Sequence, residues 1–534
     1  MTQRTPRPWS KRAPHDGPWD VVVIGSGIGG MTTAALLARL GRKVLVLEQH
    51  YVPGGYTHTF RRKGFTWDVG VHIVGDTSTR ALPGRILAHL TDGKLQWEDV
   101  GPVYDRFHYP DGFQLGFPSS PRDFAAALKE AFPEEAPHID TYLAEVRQIA
   151  GQMGGWFLGQ ALPGRFGRLV SRLTGRRVRA PLRETMQQAL ERLIPNPKLR
   201  TVVGGQWGYH GAPPSQASWA LQAMIVRHFQ HGAAYPVGGS AQIAKTLLQG
   251  VADRGGWTRI CADVEQILIT NGAASGVRLA DGEVIHAKQV VSAAGAWATV
   301  AKLLPPEHRA PWAQGVASIP AGPAHLSLYL GFHGDIEAAG ASRACEWYYD
   351  TWDHEQATWH VHPDQPVGRP RILFTSYPSL KDPRHDPGPE QKHTGEVITF
   401  VPWSAFERWQ GTAWRRRGED YDAFKARMSE AMLEVLFEHH PGLKPLLVHH
   451  ELSTPLSTDL FARPYRGSIY GLAGTPQRFA EPWLRPASPI PGLFMSGTDV
   501  ATCGVMGGLM GGVLCAAAMA PLQVVRELRG VVGG

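Results

Sequence analysis

The alternation of apolar and polar positions is most informative near the start of the chain. After a polar, Pro-containing tail over residues 1–17, Asp20 to Ile24 is β-branched and nearly continuous, which predicts a short buried strand. Gly25-Ser26-Gly27-Ile28-Gly29-Gly30 predicts a tight turn, Met31 to Leu40 a helix, and Lys43 to Leu47 a second strand that ends in Glu48. A second cluster of elements lies far downstream. Tyr235 to Ser240 reads as a turn feeding a helix over Ala241 to Ala252, and Val264 to Ile269, Gly276 to Leu279 and Gln289 to Ala293 read as short strands. Asp281-Gly282 supplies a hairpin turn, and the last strand stops at Ala294-Gly295.

Two uncharged runs compete with this reading. Val21 to Ala38 follows Arg4, Arg7, Lys11 and Arg12 and so imitates a signal peptide, but its interior is strand, glycine turn and helix. Val500 to Val525 is long enough to span a bilayer, with Gly504, Gly508 and Gly512 at GxxxG spacing. Five glycines and Pro521 suit a buried helix packed against a ligand better than a lipid-facing one.

Composition narrows the class. Among 534 residues, 43% are apolar and 19% charged, a globular balance that excludes a disordered chain. The length allows two or more domains. Glycine is in excess at 61 residues, in clusters without collagen's period. Four scattered cysteines, Cys261, Cys345, Cys503 and Cys515, form no CxxC pair and point to a reducing, cytoplasmic compartment. A net charge of +7 is too diffuse for nucleic acid, although it favours an anionic membrane surface.

The first cluster carries chemistry. Strand, glycine turn, helix, second strand and acidic residue arrive in the order of a dinucleotide-binding βαβ unit. Gly25 permits the tight turn, Gly27 lets backbone approach a pyrophosphate at the positive end of the helix, and Gly30 lets the helix pack on the strand. Glu48 would accept hydrogen bonds from a ribose.

The residues beyond this unit distinguish a flavin from a nicotinamide. Glu48-Gln49-His50, Gly54-Gly55, His58-Thr59-Phe60, Asp68, Gly70, His72 and Gly75 resemble the flavoprotein superfamily of amine oxidases and phytoene desaturases, and within it the retinol saturase branch. Tyr235 to Ser240 resembles that family's second flavin segment, and Ile490 to Asp499 with Gly504, Gly507, Gly508 and Gly511 its closing motif. The matched segments cover about 200 residues in three pieces. The resemblance implies an α/β fold: a Rossmann-type FAD-binding domain of the glutathione reductase and amine oxidase kind, with an inserted mixed α+β substrate domain. FAD would be held by Gly25, Gly27, Gly29, Gly30, Glu48, Gly54, Gly55, Thr57, Val264, Gly295, Gly497, Asp499, Gly504, Gly507 and Gly508. In this scheme the backbone of Val264 faces the adenine, Asp499 lies near the ribityl or pyrophosphate part, and the helix after it points at the isoalloxazine.

The FAD domain is then expected at 18–90, 232–305 and 446–534, and the substrate domain at 91–231 and 306–445. The latter holds Trp207, Tyr209, Trp219, Phe229, Tyr348, Tyr349, Trp403, Trp409 and Trp414, candidates for an apolar channel. Arg165, Arg168, Arg172 and Arg176, with Arg177 and Arg179, suggest a basic amphipathic segment able to touch anionic lipid on the inner face of the membrane. Metal sites are not expected, since His354, His360, His362 and the doublets His439-His440 and His449-His450 complete no ligand set.

The resemblance leads to a flavin-dependent saturase acting on a double bond of a retinoid, carotenoid or other long isoprenoid, with an electron partner left open. His58 and His72 are its candidate proton donors or flavin-orienting residues, because they lie in the segment the family places near the cofactor, and they tilt the reading towards saturase because phytoene desaturases and carotenoid isomerases usually lack His at these positions. A desaturase or cis/trans isomerase is the close alternative. A non-catalytic prenyl-binding protein of the Rab escort type is a further one, disfavoured by the retained Gly54-Gly55 and the closing glycines.

Overall fold

The computed structural model describes residues 7–162, 167, 170, 173 and 176–532. Its first sheet has a parallel core. The strand Trp19–Ile24 pairs on one side with Val44–Glu48, which pairs with Trp257–Ile260. On the other side it pairs with Val284–Ser292, which also takes the short strand Leu493–Met495. Ala273–Leu279 and Val264–Thr270 continue this sheet as an antiparallel meander. The central strands are buried on both faces, as their unbroken Val/Ile/Leu runs require.

Helix Ile28–Arg39 covers one face of the sheet, and helix Gly504–Met519 lies against it. The contact explains the glycines of the second uncharged run. A Cβ at Gly512 would lie 2.5 Å from the carbonyl oxygen of Gly29, and one at Gly511 or Gly29 would collide with the backbone of Gly497. GxxxG spacing serves helix packing inside a domain here, and no helix among the described residues is long and apolar enough to cross a membrane.

The second sheet runs Leu447–Ser453, Ala324–His333, Lys392–Val401, Ile372–Ser376, Cys345–Tyr349, Val103–His108, Gln114–Pro118. Helices Pro121–Ala131, Ala136–Ala161, Met186–Leu193 and Trp219–Phe229 share a core with its Val103–His108 end. This is the mixed α+β insertion.

Two expected boundaries move. Leu447–Ser453 falls on the cofactor side of a boundary at 446, yet it pairs with Ala324–His333 and is an edge strand of the second sheet. Within the expected tail, Trp9–Ser10 pairs in parallel with Trp257–Ile260, because the backbone groups of that strand's outer edge need partners. Arg165, Arg168 and Arg172 of the basic segment lie outside the described residues.

Candidate active site

The dinucleotide turn is fastened to the strand end by a carboxylate. Glu48 is buried, and its Oε2 accepts from the Ser26 N–H at 3.0 Å and the Ser26 hydroxyl at 2.6 Å, while Oε1 accepts from the His50 N–H at 2.8 Å. The Ser26 hydroxyl accepts in turn from the Gly54 N–H at 2.9 Å. Glu48 therefore joins the glycine turn to the Gly54-Gly55 turn. Gly54 and Gly55 both have positive φ, and Thr57 closes that turn by donating to the Gly54 carbonyl at 2.8 Å. Asp499 does similar work across the closing motif. It accepts from the Ala296 N–H at 2.8 Å and the Leu472 N–H at 3.0 Å, which fixes the Gly295 turn beside the start of the closing helix.

These turns wall a cavity of about 970 Å³, at the upper end of the ordinary range for ligand pockets. Gly25, Gly27, Gly29, Gly30, Glu48, Gly54, Gly55, Thr57, Val264, Gly295, Gly497, Asp499, Gly504 and Gly507 all line it. A Cβ added at Gly27, Gly497 or Gly504 would meet nothing within 4 Å, so at these positions bare backbone faces open space. That is the cradle a pyrophosphate and a flavin ring require. Gly508 is placed differently from expectation. It does not line the cavity, and its missing side chain makes room for Ile28.

The same cavity continues past the closing helix into the inserted domain. There the walls are Met153, Phe157, Met224, Trp347, Phe374 and Phe400, among others. Of the nine aromatic residues expected in a channel, Tyr209 and Phe229 line it. Trp207, Trp219, Tyr348, Tyr349 and Trp409 are packed in hydrophobic cores instead.

The two candidate histidines separate. His72 lines the cavity, stacked edge-on to Phe374 at 5.2 Å, and burial with the nearby Lys381 charge lowers its pKa to about 3. Its Nδ1 lies 2.7 Å from Oε2 of Glu396, off a hydrogen-bonding angle. Glu396 is fully buried, and that burial drives its pKa far above the ordinary carboxylate range. His58 is absent from the cavity wall. Its Nδ1 is 2.6 Å from the Gly55 carbonyl, which braces the second glycine turn, and burial lowers its pKa to about 4.

Several groups here carry no motif. Lys381 is buried, and its Nζ donates to Ser376 at 2.7 Å and to the His72 carbonyl at 3.2 Å. Asp68 accepts from the Ser240 N–H at 3.0 Å and from the Tyr235 hydroxyl, tying the second flavin segment to the first. Asp105 lies behind Tyr209. Only Asp68 belongs to a sequence pattern; Lys381 lies on the helical turn Pro378–Lys381 and Glu396 on the strand after it, and the second sheet brings this stretch to His72 and Asp105 from far along the chain.

Residues 28–336 match the model of the flavin-containing amine oxidoreductase family. The chain belongs to that family. It is an FAD-dependent oxidoreductase, and the glycine cradle is where the backbone can admit the cofactor. This oxidoreductase is 30% identical to an all-trans-retinol 13,14-reductase of Danio rerio, over 95% of this chain and 86% of that one. It is 28% identical to a chloroplastic prolycopene isomerase of Daucus carota, over 82% of this chain and 69% of the relative. The fold superposes on cyclohexylamine oxidase from Brevibacterium oxydans with a TM-score of 0.59 at 18% identity, covering 96% of this chain and 100% of the other.

Proposed function

We propose that the enzyme saturates a carbon–carbon double bond of a retinoid, carotenoid or other long apolar isoprenoid. The observation that carries this reading is the single cavity that begins at the dinucleotide turns and ends among apolar side chains. When bound, FAD supplies hydride transfer; the chain's own residues hold it, exclude water and position the substrate. Gly25 to Gly30, Glu48 and the Gly54-Gly55 turn hold the dinucleotide, and the start of the Gly504–Met519 helix presents a positive end to the cavity. Phe374, Phe400, Met153 and Met224 suit an isoprenoid chain, to which they offer dispersion contacts and no hydrogen bonds.

Similarity to a retinol reductase supports saturation, and similarity to a prolycopene isomerase supports a cis/trans isomerase as the second reading. Protic groups on the apolar wall favour the first. Saturation delivers a proton to carbon, and both His72 and Tyr209 line the cavity. A substrate dissolved in lipid also gives a use to Leu522 and Val525, which are 84% and 67% exposed on the helix Pro521–Glu527, and to the basic stretch containing Arg176 and Arg177. Peripheral contact with an anionic bilayer is therefore part of the proposal, read by co-sedimentation with phosphatidylglycerol vesicles.

Mass spectrometry of retinoids, carotenoids and unsaturated lipids incubated with the holoenzyme under reducing and oxidising conditions tests the chemistry. A gain of two hydrogens supports saturation. A loss of two, or an unchanged mass with altered retention, replaces it with desaturation or isomerisation.

A further inference from the structure

Behind the cavity wall, Asp105 of strand Val103–His108 is completely buried. Its Oδ1 accepts from the Tyr209 hydroxyl at 2.7 Å and, more weakly, from the Trp347 indole N–H at 3.4 Å. Its Oδ2 is sealed from solvent and has no hydrogen-bond partner. An ionised carboxylate would leave that oxygen as a buried charge without a hydrogen bond, which is costly. The charged and titratable groups around it are Tyr209, Tyr104, Tyr349, Cys345 and Lys381, with the Gln206 amide beside them, and burial still dominates, raising the Asp105 pKa to about 7. Below about pH 7 a protonated Asp105 therefore stands directly behind a tyrosine of the cavity wall.

Tyr209 also sits at the right end of that cavity. Its carbonyl accepts from the thiol of Cys503, the residue before the closing helix, and its ring contacts Trp347 and Phe374, the latter also touching His72. Two protic side chains thus flank Phe374, and their backing differs. The Tyr209 hydroxyl has a well-formed bond to its acid, whereas His72 meets Glu396 off a hydrogen-bonding angle.

Resting on the saturase reading, we propose that Tyr209 is the proton donor to the substrate and that Asp105 is the buried reservoir that reprotonates it. The step balances. One alkene carbon takes the hydride supplied by reduced flavin, and, once the Tyr209 hydroxyl has turned its proton from Asp105 Oδ1 to the substrate, the π electron pair takes that proton at the other carbon as the O–H bond breaks. The resulting phenolate takes the proton of Asp105, and the carboxylate left behind the wall regains a proton through Tyr209, from water that enters the cavity once the product leaves. Oxidised flavin and an alkane bond are the products, and reduced flavin is the only co-reactant.

Two measurements test this. The first needs no turnover: an infrared difference spectrum of the protein, wild type minus Asp105→Asn, at pH 5. A positive carbonyl band of a buried carboxylic acid is expected; a carboxylate band in its place overturns the assignment. The second is anaerobic re-oxidation of dithionite-reduced holoenzyme by all-trans-retinol, with Tyr209→Phe compared to wild type. Flavin content and dithionite reduction are expected unchanged, with re-oxidation slowed by about 100-fold or more. Re-oxidation of Tyr209→Phe at the wild-type rate overturns the proposal. If the wild type itself leaves the alkene untouched, the saturase reading fails with it, and the infrared band still reports whether Asp105 holds a proton.

Discussion

At the dinucleotide end of the cavity the wall is backbone, and at the far end it is side chain. Gly27, Gly497 and Gly504 present bare backbone to open space, and the Glu48 carboxyl there spends its oxygens on the N–H groups of Ser26 and His50 and on the Ser26 hydroxyl, as Asp499 spends its own on the N–H groups of Ala296 and Leu472. At the substrate end the wall is aromatic and thioether, backed by Glu396, Asp105, His72 and Lys381, all buried or half-buried. The difference reflects the task at each end. A pyrophosphate is bound by many weak, fixed N–H dipoles, which glycine exposes most closely. Proton delivery to a hydrocarbon needs a titratable group kept out of water, which only a side chain supplies.

The contrast can be broken most forcefully among the glycines. Gly27 has φ −62° and free space around it, so Gly27→Ala is expected to fold with an unchanged melting temperature and to lose FAD by more than tenfold, because the methyl group fills the cofactor's space. Gly29→Ala pushes a methyl group into the Gly497 backbone and is expected to cost about 1–3 kcal/mol of stability as well as flavin. Thermal melts with flavin absorbance separate them; equal melting temperatures would show that the two positions are not distinct.

Glu48→Gln keeps the shape and removes the charge from the bonds to Ser26 and His50. A loss of about 1.5–3 kcal/mol in flavin binding is expected, read by fluorescence titration of the apoprotein. The histidines come next. His58→Gln should lower flavin content by loosening the Gly55 turn, and His72→Gln should leave flavin bound while slowing turnover by no more than about tenfold, since it shapes the wall beside Phe374. Flavin loss in His72→Gln with full retention in His58→Gln would reverse the placement of the two.

Acid stability gives the smallest effect. His58, His72, His210, His325 and His354 are buried with pKa values lowered to about 3 or 4, so below about pH 6.5 the unfolded chain binds protons that the folded one refuses, and stability falls as pH falls. Asp68 at about 6, Asp105 at about 7 and the raised Glu396 act oppositely, since the folded state holds their protons. With His439, also lowered to about 4, six histidines outweigh three carboxyls, and the melting temperature is expected to drop by a few degrees per pH unit between pH 6.5 and 4. A melting temperature that rises on acidification would mean the carboxyl groups dominate the protic wall.

The two ends also differ in how far sequence reveals them. Backbone sites leave local traces: Gly25 to Gly30, Glu48 and Gly54-Gly55 lie within about thirty residues, and their spacing alone predicts strand, turn and helix. Even there Gly508 stands off the cavity wall, since a glycine that admits a neighbouring helix looks in sequence like one that admits a ligand. The side-chain site leaves no such trace. Asp105 and Tyr209 are joined by the packing of a strand against a helical turn, and Glu396 reaches His72 from a strand more than three hundred residues away. An isolated Asp or Glu in a β-rich stretch carries no sequence mark of burial; the one available hint is that Glu396 stands in a run of otherwise apolar and hydroxyl residues, Val397-Ile398-Thr399-Phe400-Val401. The aromatic channel is legible as a composition and not as a membership, since Trp347, Phe374 and Phe400 line it while most of the expected residues fill cores.

The most direct test of a cavity that joins flavin to alkene is a single anaerobic turnover, in which reduced holoenzyme is mixed with all-trans-retinol and both the flavin spectrum and the mass of the polyene are read. Return of the oxidised flavin spectrum together with a product heavier by two hydrogens is expected. A flavin that stays bleached beside a retinoid of unchanged mass would contradict it.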